Sequence, residues 1–200
     1  MHACFAGERL LCAQAFHGGS MMSNLYKFPP SMLHTPAAFI PLIDVPEPAP
    51  AAADTLTFVF HRGRLLLQAA DLALPTPVQL AALDIDLGRA QPVGRWQGRY
   101  CQTVWRDEEH LPADMGLAYH GLRSLFNAVD DGFLGLASRA VQLAEWARTH
   151  RYCGVCATPM QRARGERCFK CAACGMLAYP RISPAMMVLI RKGDQVLLAM

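Results

Sequence analysis

Cys153-Gly154-Val155-Cys156 and Cys171-Ala172-Ala173-Cys174-Gly175, held apart by residues 157–170, decide how the rest of the chain is read. Zn2+ favours four tetrahedral ligands, and cysteine thiolates are among its preferred donors. A two-residue spacer folds each pair into a tight knuckle that turns both sulfurs toward one ion. Gly154 and Gly175 are expected to relieve backbone strain in and just after the knuckles. The segment between them can form a hairpin that brings the pairs together. Cys153, Cys156, Cys171 and Cys174 are therefore the expected ligands of one structural Zn2+ per chain. A filled Cys4 set leaves no position for water, so its role is folding and not catalysis. Cys168-Phe169-Lys170-Cys171 is a competing pair. Using it would free Cys174 and shorten the hairpin. The glycine directly after Cys174 favours the outer set.

Upstream, Phe133, Leu136, Ala137, Ala140, Val141, Ala144 and Ala147 recur at helical spacing, which predicts a helix over 131–148. Asp130 or Asp131 can cap its start, and Arg148, His150 and Arg151 crowd the end where the helix dipole favours cations. Trp146 and Tyr152 read as packing residues. Further back, Leu56–Phe60 and Leu65–Leu67 flank His61-Arg62-Gly63-Arg64, the pattern of a β-hairpin. Short strands are expected at Asp84–Leu87 and Cys101–Trp105. Residues 29–54 are dense in proline and alanine and read as a loop or linker. Downstream, Ala185–Ile190 and Gln195–Ala199 bracket Arg191-Lys192-Gly193-Asp194 as a further hairpin.

The expected class is α+β. The divisions are a poorly ordered leader and linker (1–54), a small, mostly antiparallel β-rich domain (55–126), a connecting helix (127–150), a zinc ribbon (151–178) and the start of a further domain (179–200).

The bulk composition narrows the function. With 19 basic and 16 acidic side chains the net charge is +3, too small to mark a nucleic-acid surface by itself. No apolar run approaches the ~20 residues of a spanning helix, so no membrane partner is expected. The first cation is Arg9, and no clean small-residue cleavage site follows it, which points to a leader or an upstream start codon and not a signal peptide. Five of the eight cysteines fall within the 22 residues 153–174. Such clustering suits metal thiolates in a reducing, cytoplasmic compartment better than a disulfide framework.

The helix and first knuckle, Arg139 through Trp146, His150 and Tyr152 to Cys156, resemble the NADH pyrophosphatase (NAD diphosphatase) branch of the Nudix hydrolases, as does the run Tyr179-Pro180-Arg181-Ile182-Ser183-Pro184. The resemblance is specific from about residue 114 onward; before that it rests on domain order. It implies an N-terminal β-rich domain, a zinc ribbon and a Nudix α/β/α domain. The implied chemistry is hydrolysis of the diphosphate of NAD(H), or of an NAD cap on RNA, to NMN(H) and AMP. It also implies Mg2+ or Mn2+ held by the glutamates of a Nudix box, and a homodimer.

The pattern Gly-x5-Glu-x7-Arg-Glu-x-x-Glu-Glu-x-Gly is absent from these 200 residues. Beyond Asp131 only Glu145, Glu166 and Asp194 carry carboxylates. The expectation is a portion that stops before the box, has no catalytic residue or Mg2+ site of its own, and hydrolyses nothing alone. Three substrate contacts carry over by resemblance. Tyr179 would stack on a base, Glu166 would make a polar contact, and Arg123 would meet phosphate, with its spacing displaced by about one residue. The alternative is a zinc-ribbon module that binds nucleic acid or protein, with Arg162, Arg164, Arg167, Lys170 and Phe169 as its surface.

Overall fold

The computed structural model describes Pro36, residues 38–181 and 188–197, and the backbone of Cys12–Gln14. In chain order its elements are β1 (Cys12–Gln14), β2 (Phe39–Pro41), β3 (Thr55–His61), β4 (Arg64–Gln68), α1 (Pro77–Ala82), β5 (Gln91–Trp96), β6 (Arg99–Trp105), β7 (Leu117–Gly121), α2 (Asp131–Thr149), β8 (Met160–Arg162), β9 (Phe169–Cys171), β10 (Leu177–Ala178), β11 (Arg191–Lys192) and β12 (Gln195–Leu197). The class is α+β. The chain divides into two units, Phe28–Arg181 and a smaller one of Met1–Lys27 with Ile182–Met200.

The larger unit is built on a six-stranded sheet of order β2-β5-β6-β3-β4-β7. Its centre is a parallel pair, β3 with β6, from Thr55↔Tyr100 to Phe60↔Trp105, and every other pairing is antiparallel. Both faces are covered. Phe58, Phe60, Leu65, Leu67 and Cys101 pack with Leu134, Leu136, Ala140 and Trp146 of α2. Val59, Leu66 and Val104 turn the other way, onto Leu80 and Leu83 at α1. Two-sided burial explains why Phe58-Val59-Phe60 of β3 is continuously apolar and does not alternate.

Two strand connections share one device. Arg62 and Gly63 have φ of 48° and 74°, and Gln97 and Gly98 have 49° and 79°. Positive φ at both central residues gives the turn whose twist matches that of the paired strands.

Helix α2 begins where Asp130 accepts the Phe133 amide at 3.0 Å. Its stripe of Leu134, Ala137, Ala140, Leu143, Ala144 and Trp146 is buried. The chain then enters a small antiparallel sheet, β10-β9-β8. Three contacts fasten this ribbon. Phe169 lies against Trp146 with ring centroids 4.6 Å apart. Arg167 donates to the carbonyls of Pro92 and Leu42. The Gly165 amide donates to Asp44 at 2.9 Å.

Several expectations are corrected. Asp84–Leu87 is not a strand. Asp84 sits at φ 51°, and Asp86 accepts the Gly88 amide at 3.0 Å, starting a 3-10 turn. Strands β5 and β7 were not expected, and β2 lies inside the proline-dense stretch taken as linker. Gly94 permits that last pairing, because a Cβ there would stand 2.3 Å from the Phe39 ring and 2.5 Å from the Ile40 carbonyl.

In the smaller unit β12 pairs with β11 across Gly193-Asp194 and, on its other side, with β1. The hairpin is shorter than expected, since residues 188–190 lie outside it. The expected strand residues 185–187 and 198–199, and most of the expected leader, lie outside the described residues.

Candidate metal centre and substrate-contact residues

The two knuckles have one backbone design. The Cys153 amide donates to the Thr158 carbonyl and the Ala157 amide to the Cys153 carbonyl, both at 2.9 Å. Eighteen residues on, the Cys171 amide donates to Met176 at 2.9 Å and the Gly175 amide to Cys171 at 3.0 Å. Each loop closes through a left-handed residue four places after its first cysteine. In the first knuckle that residue is Ala157, at φ 57°, and in the second Gly175, at φ 75°. Gly154 does not have a positive φ, so the strain it was expected to relieve falls on Ala157 instead.

The sulfurs of Cys153 and Cys174 are 3.5 Å apart, and those of Cys156 and Cys171 are 3.4 Å apart. All four lie within 4.8 Å of one another. A tetrahedron with Zn–S bonds of about 2.3 Å has sulfur–sulfur edges of about 3.8 Å, so the donor set fits zinc in kind and in spacing. Backbone amides of Val155 and Cys174 point at the sulfurs of Cys153 and Cys171, at 3.4 and 3.5 Å. Such donors favour thiolates.

Hydrogen bonding to the Thr158 hydroxyl brings the Cys156 thiol down to about 6, and the Cys174 amide lowers Cys171. Cys174 is pushed up to about 12. The Met176 amide pulls it down, but the thiols of Cys153 and Cys171 outweigh that pull. Four sulfurs within 4.8 Å of one another cannot all be charged without a cation among them, and a divalent ion would supply that charge. Among the described residues these cysteines are the one group of three or more His, Cys, Asp or Glu donors close enough to hold a metal.

Cys168 is buried away from this cluster, its thiol 3.7 Å from the Glu166 carboxylate. Burial raises its pKa. The same carboxylate oxygen accepts the Tyr179 hydroxyl at 2.7 Å, so the fold brings two of the three expected substrate contacts together. The bond to Glu166 pushes the Tyr179 hydroxyl up to about 12. Tyr179 is 50% exposed. Arg123 is exposed on the 3-10 turn Leu122–Leu125. No hydrogen bond or ion pair among the described residues joins it to Tyr179 or Glu166.

The basic ribbon surface read from sequence is split by the fold. Arg167 turns inward to two backbone carbonyls, and Lys170 pairs opposite Gln161 while Phe169 pairs opposite Arg162. Successive strand residues face opposite sides, so Lys170 leaves the face of Arg162. Tyr152 is no packing residue, being 66% exposed, whereas Trp146 is core.

A β-sheet domain carrying one long helix, followed by paired cysteine knuckles on a small ribbon, defines an α+β zinc-ribbon protein. Residues 54–146 match the NADH pyrophosphatase-like rudimentary NUDIX domain, and residues 148–179 match the NADH pyrophosphatase zinc ribbon domain. The chain belongs to this NADH-pyrophosphatase-like Nudix family. The match from residue 54 takes the resemblance into the β-rich region, where sequence had supplied only domain order.

Proteins named NAD-capped RNA hydrolase NudC are similar to it. That of Deinococcus radiodurans is 39% identical over 79% of this chain and 52% of its own length. That of Stutzerimonas stutzeri is 36% identical over 75% and 53%. The Yersinia enterocolitica protein is 44% identical over 55% and 39%. The chain spans about half the length, or less, of the curated relatives it matches.

Proposed function

We propose that these residues form the N-terminal and zinc-ribbon portion of an NAD(H) diphosphatase, which hydrolyses the diphosphate of NAD(H), or of an NAD cap on RNA, to NMN(H) and AMP. The observation that carries the reading is the succession of the two NADH-pyrophosphatase domain matches, with a four-sulfur cluster inside the second. Cys153, Cys156, Cys171 and Cys174 would hold one Zn2+, which closes the ribbon and has no open coordination position to offer a substrate. The ribbon in turn sets Glu166 beside Tyr179. There Glu166 fixes the phenol, and the half-exposed Tyr179 offers a nucleobase a stacking surface. Arg123 supplies a cation suited to phosphate.

Glu145 is tied to Arg148 and Glu166 to Tyr179. Mg2+ or Mn2+ is expected from the family alone. These 200 residues by themselves should be inactive. A cytoplasmic location agrees with a cluster of zinc thiolates, which needs reduced cysteines. No helix among the described residues is long and apolar enough to cross a membrane. A homodimer is what the family resemblance implies. The second reading, a zinc-ribbon module for nucleic acid or protein, is favoured by the exposed Arg162 and Arg164 on the ribbon. It overlaps the first if the substrate is capped RNA.

The test is a chimera in which this chain replaces its counterpart in the Deinococcus relative. With Mn2+ and NADH it should release NMNH and AMP, and Tyr179→Ala should raise KM. A folded, zinc-loaded chimera without turnover would refute the reading. For the 200 residues alone, turnover abolished by a chelator would refute the proposed inactivity. Metal analysis should find about one zinc per chain, unchanged in Cys168→Ser and lost in Cys156→Ser.

A further inference from the structure

Away from the cysteines, a groove of about 700 Å3 lies between β6, the end of α2 and the ribbon. Five arginines line it, Arg89, Arg148, Arg151, Arg162 and Arg164, and no carboxylate does. Two are paired at the rim, Arg148 with Glu145 and Arg151 with Asp107 at 3.0 Å. The side chains of Arg89, Arg162 and Arg164 make no ion pair or hydrogen bond among the described residues. Arg162 and Arg164 also line a neighbouring depression with Asp44 and Glu47. Within the groove itself the lining charge is all positive, which attracts anions.

The walls also present flat faces. Tyr152 is 66% exposed, and Trp105 carries the Arg148 guanidinium 4.8 Å from its ring centre. Free phosphate would use the arginines but has nothing for an exposed tyrosine. Cations interleaved with aromatic faces suit a strand whose phosphates and bases are both accessible.

We propose that this groove binds single-stranded nucleic acid, with phosphates on Arg89, Arg162 and Arg164 and a base on Tyr152. The proposal deepens the capped-RNA reading and rests on it only for where the strand comes from. The strand body would run here while Tyr179 and Glu166 serve the dinucleotide end.

The test is fluorescence anisotropy of an uncapped ten-nucleotide RNA with the full zinc-loaded chain. Three phosphate contacts predict that log K falls against log salt with a slope of about −2, since each contact on a single strand contributes about −0.7. Arg162→Gln with Arg164→Gln should weaken binding at least tenfold and bring the slope to about −0.7. Tyr152→Ala should weaken binding about tenfold and leave the slope unchanged. All three side chains are exposed, so zinc content and thermal midpoint should match the parent. If the glutamine variant loses zinc, Arg89→Gln takes its place, at another exposed contact, and should weaken binding and bring the slope to about −1.4. Absence of binding, binding indifferent to these substitutions, or displacement by inorganic triphosphate at equal phosphate concentration would each overturn the proposal. The assay reads binding of an uncapped strand. Its failure therefore leaves the diphosphatase reading standing, and a chimera that binds the strand without hydrolysing NADH would fail only that reading.

Discussion

Exchanging one methyl group between the two knuckles should shift zinc affinity in opposite directions. Ala157 and Gly175 occupy the same position in their loops, at φ 57° and 75°. An L-residue in this left-handed region costs about 1–2 kcal/mol, which glycine avoids. A Cβ at Gly175 would meet no heavy atom within 4 Å, so the cost there is conformational and not steric. Against it stands the extra freedom that glycine loses on folding, about 0.5–1 kcal/mol. The balance leaves Ala157→Gly stabilising by about 0.5–1 kcal/mol and Gly175→Ala destabilising by a similar amount.

Folding of a small metal ribbon is coupled to metal binding, so the difference should appear in the zinc dissociation constant. At 1.4 kcal/mol per decade it amounts to about two- to fivefold, tighter for Ala157→Gly and weaker for Gly175→Ala. Competition with a chromophoric chelator at fixed pH measures both. Looser zinc in Ala157→Gly, or a Gly175→Ala variant indistinguishable from the parent, would refute the argument that backbone conformation alone separates the two knuckles.

Arg167→Met should destabilise the larger unit by about 3 kcal/mol in urea unfolding, because two carbonyls lose a charged donor. Ultraviolet titration should show one tyrosine moving from about 12 toward 10 in Glu166→Gln, with Tyr100, which burial also holds at about 12, unchanged. The folded pKa of Tyr179 is raised, so the stability from its bond to Glu166 is present below pH 10 and is lost as pH climbs through about 12. A stability curve without that alkaline loss would contradict the bond. Leu134→Ala, at a fully buried position of α2, should cost about 2–5 kcal/mol in the same urea assay.

Local chemistry was legible where near neighbours in sequence settle a conformation. The Cys-x-x-Cys pairs, the 3.6-residue stripe of α2 and the Arg62-Gly63 turn each fix their own geometry over a few residues. The Gln97-Gly98 turn carries the same signal between β5 and β6 and was available to be read. Strand β5 was harder, since Pro92 and Gly94 are poor strand formers. Pro92 sits at a register shift, and Gly94 is required by the approach of Phe39 and Ile40. Nothing within β5 itself announces that demand.

Sequence by itself determined the metal chemistry, the helix and its cap, the α+β class and the family resemblance. All of these depend on spacing along the chain. Tertiary structure alone decided the parallel joining of β3 to β6 and the two-sided burial that follows. It also placed the Tyr179 hydroxyl on Glu166, 13 residues away, and turned Arg167 inward while leaving Arg162 out. The arginine groove is the clearest case, because positions 89, 148, 151, 162 and 164 share no repeat or motif. Charge acts through space, and only folding makes those five side chains neighbours.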